Sequence, residues 1–515
     1  MNFNGKGGRD FHFFAGIMNR KVNPSPFVAH VFFTAAASVA TVAASLFVLR
    51  FIAEGLGIEK FGAYSLSTRL MGFLLPFSLL GLNVTLPRFV SMAPGEREKR
   101  DYLLSAVLLG MVPNLLILAG GFLWSGLLAK AVFHDAGYQT LFLIILFWEI
   151  SYFIYSVLDS YYFGTGQIRK SNYWQIFLGV AGPLFIAFYF SRSGNVNLLA
   201  GSMAALYLAT AIPLGFNLFL ALMQKTAWPK IQSYIKELWI YTAPRFPVRF
   251  VLGSLLSLGP LLAPHFGTLQ DAGFLIIGQM VFSVTEMGSV AFSRVILPKA
   301  GELVAQGRHD YLKERIEDIV VFVFHAGIFM CFQLIIWTDQ IILVWLGGQF
   351  KGAIPLMRIL ITAMPPYLLF IMLSPIIDTV EPKPVNLKNL IISFVAALAI
   401  SLPAGKFLSK TGLAFGTTSG IVVLGFLTVF YLWKHYRLDL KSMGIRKALL
   451  WNTVFFIAGF AVEKQLTSHW QGGLLIATGI LAEGIVLALY LAVLYRQGPR
   501  WIHELSKRVF HTTGK

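Results

Sequence analysis

The apolar positions of this chain fall in long, nearly unbroken runs, with no sustained alternation of the kind a half-buried strand shows. Runs of about 20 residues match the length a helix needs to cross a bilayer core. The pattern predicts about fourteen crossings, over 28–53, 62–90, 103–130, 140–163, 173–191, 198–223, 239–264, 272–298, 316–338, 354–378, 388–404, 412–433, 448–464 and 473–495. The stretch near 340–350 is shorter and predicts an interfacial piece. The expected fold class is an all-α polytopic membrane protein.

The polar intervals alternate in charge. One set holds GEREKRD (95–101), IRK (168–170), KTAWPKIQSYIKE (225–237), GRHDYLKER (307–315), KHYRLDLKSMGIRK (434–447) and the C-terminal tail. The other holds EGLGIEKFG, HDAGYQ, SRSGNVN, HFGTLQDAG and KQLTSHWQGG, with few basic residues. The positive-inside rule places the first set and both termini in the cytoplasm. One miscounted helix would scramble this alternation, so it supports the count.

Composition fits. Of 515 residues, 56% are hydrophobic and 13% charged, half the charge of an ordinary soluble domain. The net charge of +18 is largely carried by the basic loops, so it requires no nucleic-acid partner. The single cysteine, Cys331, sits in an apolar run and reads as a small buried hydrophobe. The first 26 residues are polar and mixed, unlike a cleavable signal peptide.

The chain also repeats itself. The segment from Phe61, FGAYSLSTRLMGFLLPFSLLGLNVTLPRFVS, pairs with DAGFLIIGQMVFSVTEMGSVAFSRVILPKAGE from Asp271. Residues 62–64 align with 272–274, Pro87-Arg88 with Pro298-Lys299, and 100–103 with 309–312. The offset of about 210 residues spans six helices, an even number, so both halves share one orientation in the membrane. The expected organisation is a cytoplasmic segment (1–27), a six-helix bundle (28–224), a cytoplasmic linker (225–238) and a second bundle (239–434). A cytoplasmic loop (435–447), two further crossings (448–495) and a basic tail (496–515) follow.

No Walker-type GxxxxGK[ST] occurs, and no His/Cys cluster has metal-ligand spacing. His134-Asp135 reads as a solvated loop pair. The outer loops are short, which argues against a membrane glycosyltransferase or polymerase that must hold an acceptor. No cofactor is implied.

The informative residues are charges inside the apolar runs, because each costs about 2.5–3.5 kcal/mol at mid-membrane unless it faces a wet cavity or a partner. Arg88 and Arg294 lie near cytoplasmic ends and Arg50 near an outer end, where long stems snorkel. Asp159 and Asp378 also lie near cytoplasmic ends, and Glu483 falls in the last helix, where a structural pair is expected. Arg69, Arg245 and Arg249 are harder to dismiss. Arg245 and Arg249 are four apart in TAPRFPVRF, on one helix face, beside Pro244 and Pro247, which open the helix start. Their repeat mates near Ala35 and Val39 are uncharged, and Arg69 aligns with Gln279. The scaffold therefore does not need these arginines in both halves. Either they serve an anionic ligand, whose phosphate oxygens match the guanidinium fork, or they pair internally with Glu149 or Glu286. Tyr64, Phe73 and Tyr241 are core or stacking residues nearby.

The stretch LRFIAEGLGIEKFGAYSLSTRLMGFLLPFSLLGLNVTLPRFVS (49–91), with ILPKAGELVAQGRHDYL (296–312), resembles polysaccharide repeat-unit flippases of the multidrug/oligosaccharidyl-lipid/polysaccharide exporter superfamily. The resemblance covers roughly 28–435. It implies a carrier that moves undecaprenyl-diphosphate-linked oligosaccharides across a bacterial inner membrane for O-antigen, capsule or exopolysaccharide synthesis. It maps a cationic cavity onto Arg69, Arg245 and Arg249, with Arg50 as a weaker fourth member. Glu149, Asp159 and Glu286 become candidates for coupling to a proton or sodium gradient. The expected partners are the lipid-linked anionic glycan, membrane lipids and polymerase or export machinery. Lipid II flippases of the same superfamily typically have fourteen helices and the polysaccharide branch more often twelve, so a lipid II flippase is an alternative. A cation-coupled multidrug exporter is another. Its branch typically carries an acidic residue midway along the first helix, where this chain has only Arg50 and Glu54 near the outer end.

Overall fold

The computed structural model describes residues 26–286 except Lys225, then Gln306, 308–439 except Pro382, 443–469 and 472–499. Every regular element among the described residues is helical.

Two helices exceed any bilayer. Pro26–Leu79 has 54 residues and Val385–Tyr436 has 52. Straight, each would run about 80 Å, against a core of about 30 Å. Both fold back on themselves. The first breaks at Gly57 (φ 71°, ψ 171°), a conformation glycine adopts without steric cost. The second breaks at Ser409 (φ 51°, ψ −132°). Close glycine contacts hold the limbs of the second hairpin together. A Cβ on Gly420 would stand 2.6 Å from the Ala397 Cβ, and one on Gly416 would stand 2.7 Å from the Ser401 Cα.

Ten helices are long and apolar enough to cross a membrane, and eleven when Gly348–Ile361 and Met364–Val380 count as one bent span. Reading each double-length helix as two makes thirteen among the described residues. A further helix over 269–286 begins the eighth predicted crossing. The remainder of that crossing lies outside the described residues, as do Arg294 and Pro298-Lys299. The chain is thus a multi-pass all-α membrane protein.

We label the limbs of the first hairpin α1 and α2, before and after Gly57. Then follow α3 (Leu82–Met92), α4 (Glu96–Leu123), α5 (Ser125–Phe133), α6 (Gln139–Gly164), α7 (Ile168–Ile176), α8 (Gly182–Phe190), α9 (Val196–Leu214), α10 (Phe216–Met223) and α11 (Trp228–Thr242). The second part continues with α12 (Phe246–Phe266), α13 (269–286), α14 (His309–Phe322), α15 (Ile328–Ile336), α16 (Thr338–Trp345), α17 (Ile354–Ile361) and α18 (Met364–Val380). The limbs of the second hairpin are α19 and α20, and α21 (Ile445–His469) and α22 (Gly472–Gln497) close the chain.

Prolines and glycines account for several departures from the predicted spans. The span over 62–90 is interrupted at Leu80 and Gly81, both with positive φ. The span over 239–264 does not form as one helix. A turn over 243–245 separates α11 from α12, because Pro244 has no N–H to continue a helix and Pro247 suits a first turn. The buried residues of α11, Ile231, Tyr234, Leu238 and Thr242, follow the three-to-four spacing of one amphipathic face. The 340–350 stretch holds the short α16 and a 3-10 turn over Gly348–Ala353.

The aligned segments of the repeat meet in space. Ala63 and Ala272 are fully buried, and a Cβ on Gly273 would touch both Phe61 and Gly62. This contact lies at the end of the molecule that carries the Gly57 and Ser409 turns. Asp271 pairs there with Lys410 at 2.7 Å. Opposite lies the basic end, with the 95–101 and 168–170 loops.

Candidate functional site

α2 and α12 lie side by side and antiparallel. Phe77 packs on Phe246 (5.2 Å between centroids) and Phe250 (4.5 Å), Phe73 packs on Phe250 (5.6 Å), and Gly253 approaches Gly72. This register orders the predicted arginines by depth. Arg245 is nearest the basic end, Arg249 is about 6 Å deeper, and Arg69 lies level with residue 254, about 14 Å from Arg245. From the Gly57 turn, Arg69 is about 18 Å along its helix, near mid-membrane.

At the basic end Tyr241 lies between two guanidinium groups. Arg245 stands 3.7 Å from its ring centroid and Arg88 4.6 Å, and Arg88 Nη1 also donates to the Tyr241 hydroxyl at 2.8 Å. A guanidinium over a phenol face is attracted by the ring quadrupole. Phe89, Glu237, Ile240, Tyr241 and Arg245 line a cleft of about 360 Å³ here. Arg88, Arg245 and Arg249 are all exposed. The sequence reading assigned Arg88 to snorkelling, and its partnership with Tyr241 crosses 153 residues of chain that no local spacing could bridge.

α11 sets this cleft in place. Tyr102 donates to Glu237 at 2.7 Å, Tyr234 donates to Glu98 at 3.0 Å, and the two phenol rings pack at 4.3 Å with their planes tilted by 45°. Burial pushes the Tyr234 phenol above its ordinary value. Thr242 donates to Thr85 at 2.7 Å with both residues fully buried.

Arg69 lies in a different setting. The Glu286 carboxylate is the charged group that acts on it, and the arginine forms no hydrogen bond or ion pair with any described residue. Tyr367 donates to Glu286. Of the two pairings considered from sequence, neither forms a bond to Arg69 among the described residues, and Glu286 acts on it through its charge alone. Nothing local marked Tyr367, which follows two prolines at the start of α18. Gln279 was visible as the repeat mate of Arg69. It is 3% exposed, with both amide atoms unpartnered.

The remaining candidates scatter. Arg50 does not join the other arginines. It is exposed, pairs with Glu54 at 2.8 Å, and lies toward the Gly57 end, where an i,i+4 pair one helix turn apart satisfies it. Glu149 is 1% exposed inside the first group of helices, and neither carboxylate oxygen has a hydrogen-bond partner. The nearby Ser78 hydroxyl donates to Asn114 instead, at 2.8 Å. Asp159 is two to three turns further along α6, near Ser171, with Oδ1 unpartnered. Among the described residues no group of three His, Cys, Asp or Glu is placed to hold a metal.

No protein-family model matches this sequence, and no curated protein is significantly similar to it. The fold is nevertheless shared with solved structures. The lipid II flippase MurJ in an inward closed conformation superposes with a TM-score of 0.70 at 14% identity, covering 91% of this chain and 98% of that one. An inward-facing multidrug resistance MATE transporter of the MOP superfamily gives 0.64 at 12%, covering 80% and 99%. The MATE transporter DinF-BH gives 0.58 at 16%, covering 80% and 96%. The chain shares its fold with these three structures. The MurJ match includes a larger share of the chain than either MATE match.

Proposed function

We propose that this protein is a flippase that carries an undecaprenyl-diphosphate-linked oligosaccharide across a bacterial inner membrane by alternating access, with both termini in the cytoplasm. The observation that carries this reading is the descent of Arg245, Arg249 and Arg69 along the α2–α12 seam, from an exposed basic mouth to mid-membrane. A diphosphate gains charge-assisted, bidentate contacts from such groups where water is sparse. The polyprenyl chain stays in lipid, and the glycan occupies the space between the two groups of helices. The contact of Gly62 with Gly273 supports a carrier shut at the end opposite its basic mouth. Glu149 and Asp159 are proposed to couple the cycle to a proton or sodium gradient. Repeat units destined for O-antigen, capsule or exopolysaccharide, handed on to polymerase and export machinery, are the proposed cargo. Lipid II is a second reading, favoured by the larger share of the chain that the MurJ superposition covers.

The experiment is lipid extraction from a deletion strain, mild-acid release of glycans and mass spectrometry, with the membrane face of each species assigned. Accumulation of a complete repeat unit facing the cytoplasm is the expected result. Accumulation of lipid II gives the second reading. No accumulation, with increased drug sensitivity, overturns both.

A further inference from the structure

α15 and α16 pack against both of the last two helices. Phe329 stacks on Tyr490 of α22 at 3.9 Å and meets Phe455 of α21 edge-on at 6.1 Å. One turn further on, a Cβ on Gly459 of α21 would stand 3.0 Å from Gln333 Oε1. A turn beyond that, one on Gly479 of α22 would stand 3.0 Å from the Trp337 ring. Trp337 donates its indole N–H to Glu483 of α22 at 2.9 Å, and Gln340 donates to Glu463 of α21 at 2.5 Å. Residues 329, 333, 337 and 340 recur every three to four positions, so one side of this segment meets both helices. Two carboxylates therefore reach the same seam from two different helices.

The polar groups of this seam are short of partners. Gln333 is 7% exposed, and neither atom of its amide has a hydrogen-bond partner. The Gln340 amide oxygen is buried and unpartnered as well. Gly459 has no side chain to cover the Gln333 oxygen. Among the described residues neither Glu463 nor Glu483 is ion-paired with a basic side chain. Arg358 is committed to Asp339 at 2.7 Å, and Lys464 is exposed. Glu483 lies near the middle of α22, a depth at which a carboxylate is costly without a counter-charge. Buried polar groups without partners are rare and call for something that completes them. Two carboxylates and two spare amide oxygens are hard donors, the kind that cations of the sodium, magnesium and calcium type prefer. The amide oxygens matter here, because no third His, Cys, Asp or Glu is placed beside the two glutamates among the described residues.

We propose that this seam binds a monovalent metal cation of sodium's chemistry. Glu483 and the Gln333 oxygen are the inner donors, and Glu463 and the Gln340 oxygen the outer ones. Each carboxylate keeps its present N–H donor and still has lone pairs to offer. Four protein donors fall short of the about six to eight oxygens that calcium takes, and magnesium gives up its waters reluctantly. The rings of Phe329, Tyr490 and Phe455 close the seam toward the basic end. In the other direction it passes Glu463, within two turns of the end of α21 at His469, so the ion enters from the end opposite the basic mouth. Once bound, it cancels charge that the seam does not cancel itself and draws α21 and α22 onto α15. The two helices outside the internal repeat thereby answer to the salt on one side of the membrane. This inference goes beyond the flippase reading and does not depend on it.

The test uses the full-length protein in detergent, with no cargo present. Its melting temperature is followed while sodium chloride replaces choline chloride at constant ionic strength. A saturable rise with sodium is expected. Glu483→Gln is expected to move the midpoint of that rise at least about tenfold higher in sodium, and Gln333→Leu at least about threefold. Gln333→Leu breaks no hydrogen bond present in the structure, so it decides the matter if Glu483→Gln does not fold. A melting temperature indifferent to the exchange overturns the site. So does a sodium midpoint unchanged in Gln333→Leu, which would place the ion elsewhere. A rise produced by calcium but not by sodium overturns the monovalent assignment. Since no glycan or lipid-linked substrate enters the measurement, failure of the flippase reading would leave its outcome untouched.

Discussion

Gly273 lies against Gly62 so closely that a Cβ on Gly273 would stand 3.1 Å from the Gly62 Cα. A Cβ on Gly62 would in turn collide with the backbone carbonyl of Leu269, which cannot swing aside as a side chain can. Overpacking of this kind costs about 1–3 kcal/mol. Gly62→Ala should therefore destabilise the shut arrangement at this end. A cysteine placed at the fully buried Ala272, in a chain whose only native cysteine, Cys331, is itself buried, should react faster with a membrane-impermeant thiol reagent when Gly62 is replaced. Equal rates would show that the two glycines do not govern closure.

The two arginines on Tyr241 should act together. Arg88→Ala combined with Arg245→Ala should weaken pyrophosphate binding by about tenfold and flatten its dependence on salt, because two cations leave the mouth. Tyr241→Phe removes the hydrogen bond to Arg88 but keeps the ring face, and should change binding by less than about threefold. A large effect of Tyr241→Phe with none from the double variant would assign recognition to the hydroxyl.

Glu237 receives the Tyr102 hydroxyl across the α4–α11 contact. Glu237→Ala should strip that donor of its acceptor and cost about 1–3 kcal/mol, read as a lower melting temperature in detergent. Tyr102→Phe removes only the donor and should cost less, since the glutamate lies at the cleft and can be hydrated. The reverse order would contradict this account of the docking.

Glu149 offers a case in which replacing a carboxyl by its amide should help. Its carboxylate is buried, and the Ser78 hydroxyl proton is committed to Asn114. Glu149→Gln supplies an amide N–H that can donate to Ser78 and removes the cost of holding an ionisable carboxyl away from water. A raised melting temperature is the expected result. If transport in vesicles also loses its dependence on an imposed gradient, the coupling role proposed for Glu149 stands. Unchanged dependence would reduce it to a structural residue.

Trp337 donates its indole N–H to Glu483 at 2.9 Å, joining the end of α15 to α22. Glu483→Ala should leave that donor unmatched and loosen the last helix by about 1–3 kcal/mol. Limited proteolysis of the chain after Tyr436 should quicken accordingly, and unchanged cleavage would show the bond to be dispensable.

Much of the architecture was legible because a bilayer admits few solutions. Unbroken apolar runs must be helices, so the spans over 140–163, 388–404 and 412–433 reappear within a few residues of α6, α19 and α20. The seventh span was misread because hydropathy does not distinguish an amphipathic helix lying across the basic end from the start of a crossing, and Trp239, Ile240 and Tyr241 look alike in both settings. The arginines were legible as charges out of place. Their surroundings were not, since Glu286, whose charge reaches Arg69, lies about 220 residues from it along the chain. Arg50 misled for a related reason. A charge near the end of an apolar run looks the same whether it faces a cavity or, as here, reaches a glutamate one turn away.

The fastening of α11 to α3 and α4 has a mechanical consequence. The chain passes from one group of helices to the other just once between them, and on the near side it is clamped as far as Thr242, whose hydroxyl is bonded to Thr85. α12 begins at Phe246. Any tilt of one group against the other must be absorbed by Ala243, Pro244 and Arg245, a fulcrum three residues long. The guanidinium at the mouth is carried on that fulcrum, so the angle between the groups and the reach of Arg245 are geared to each other.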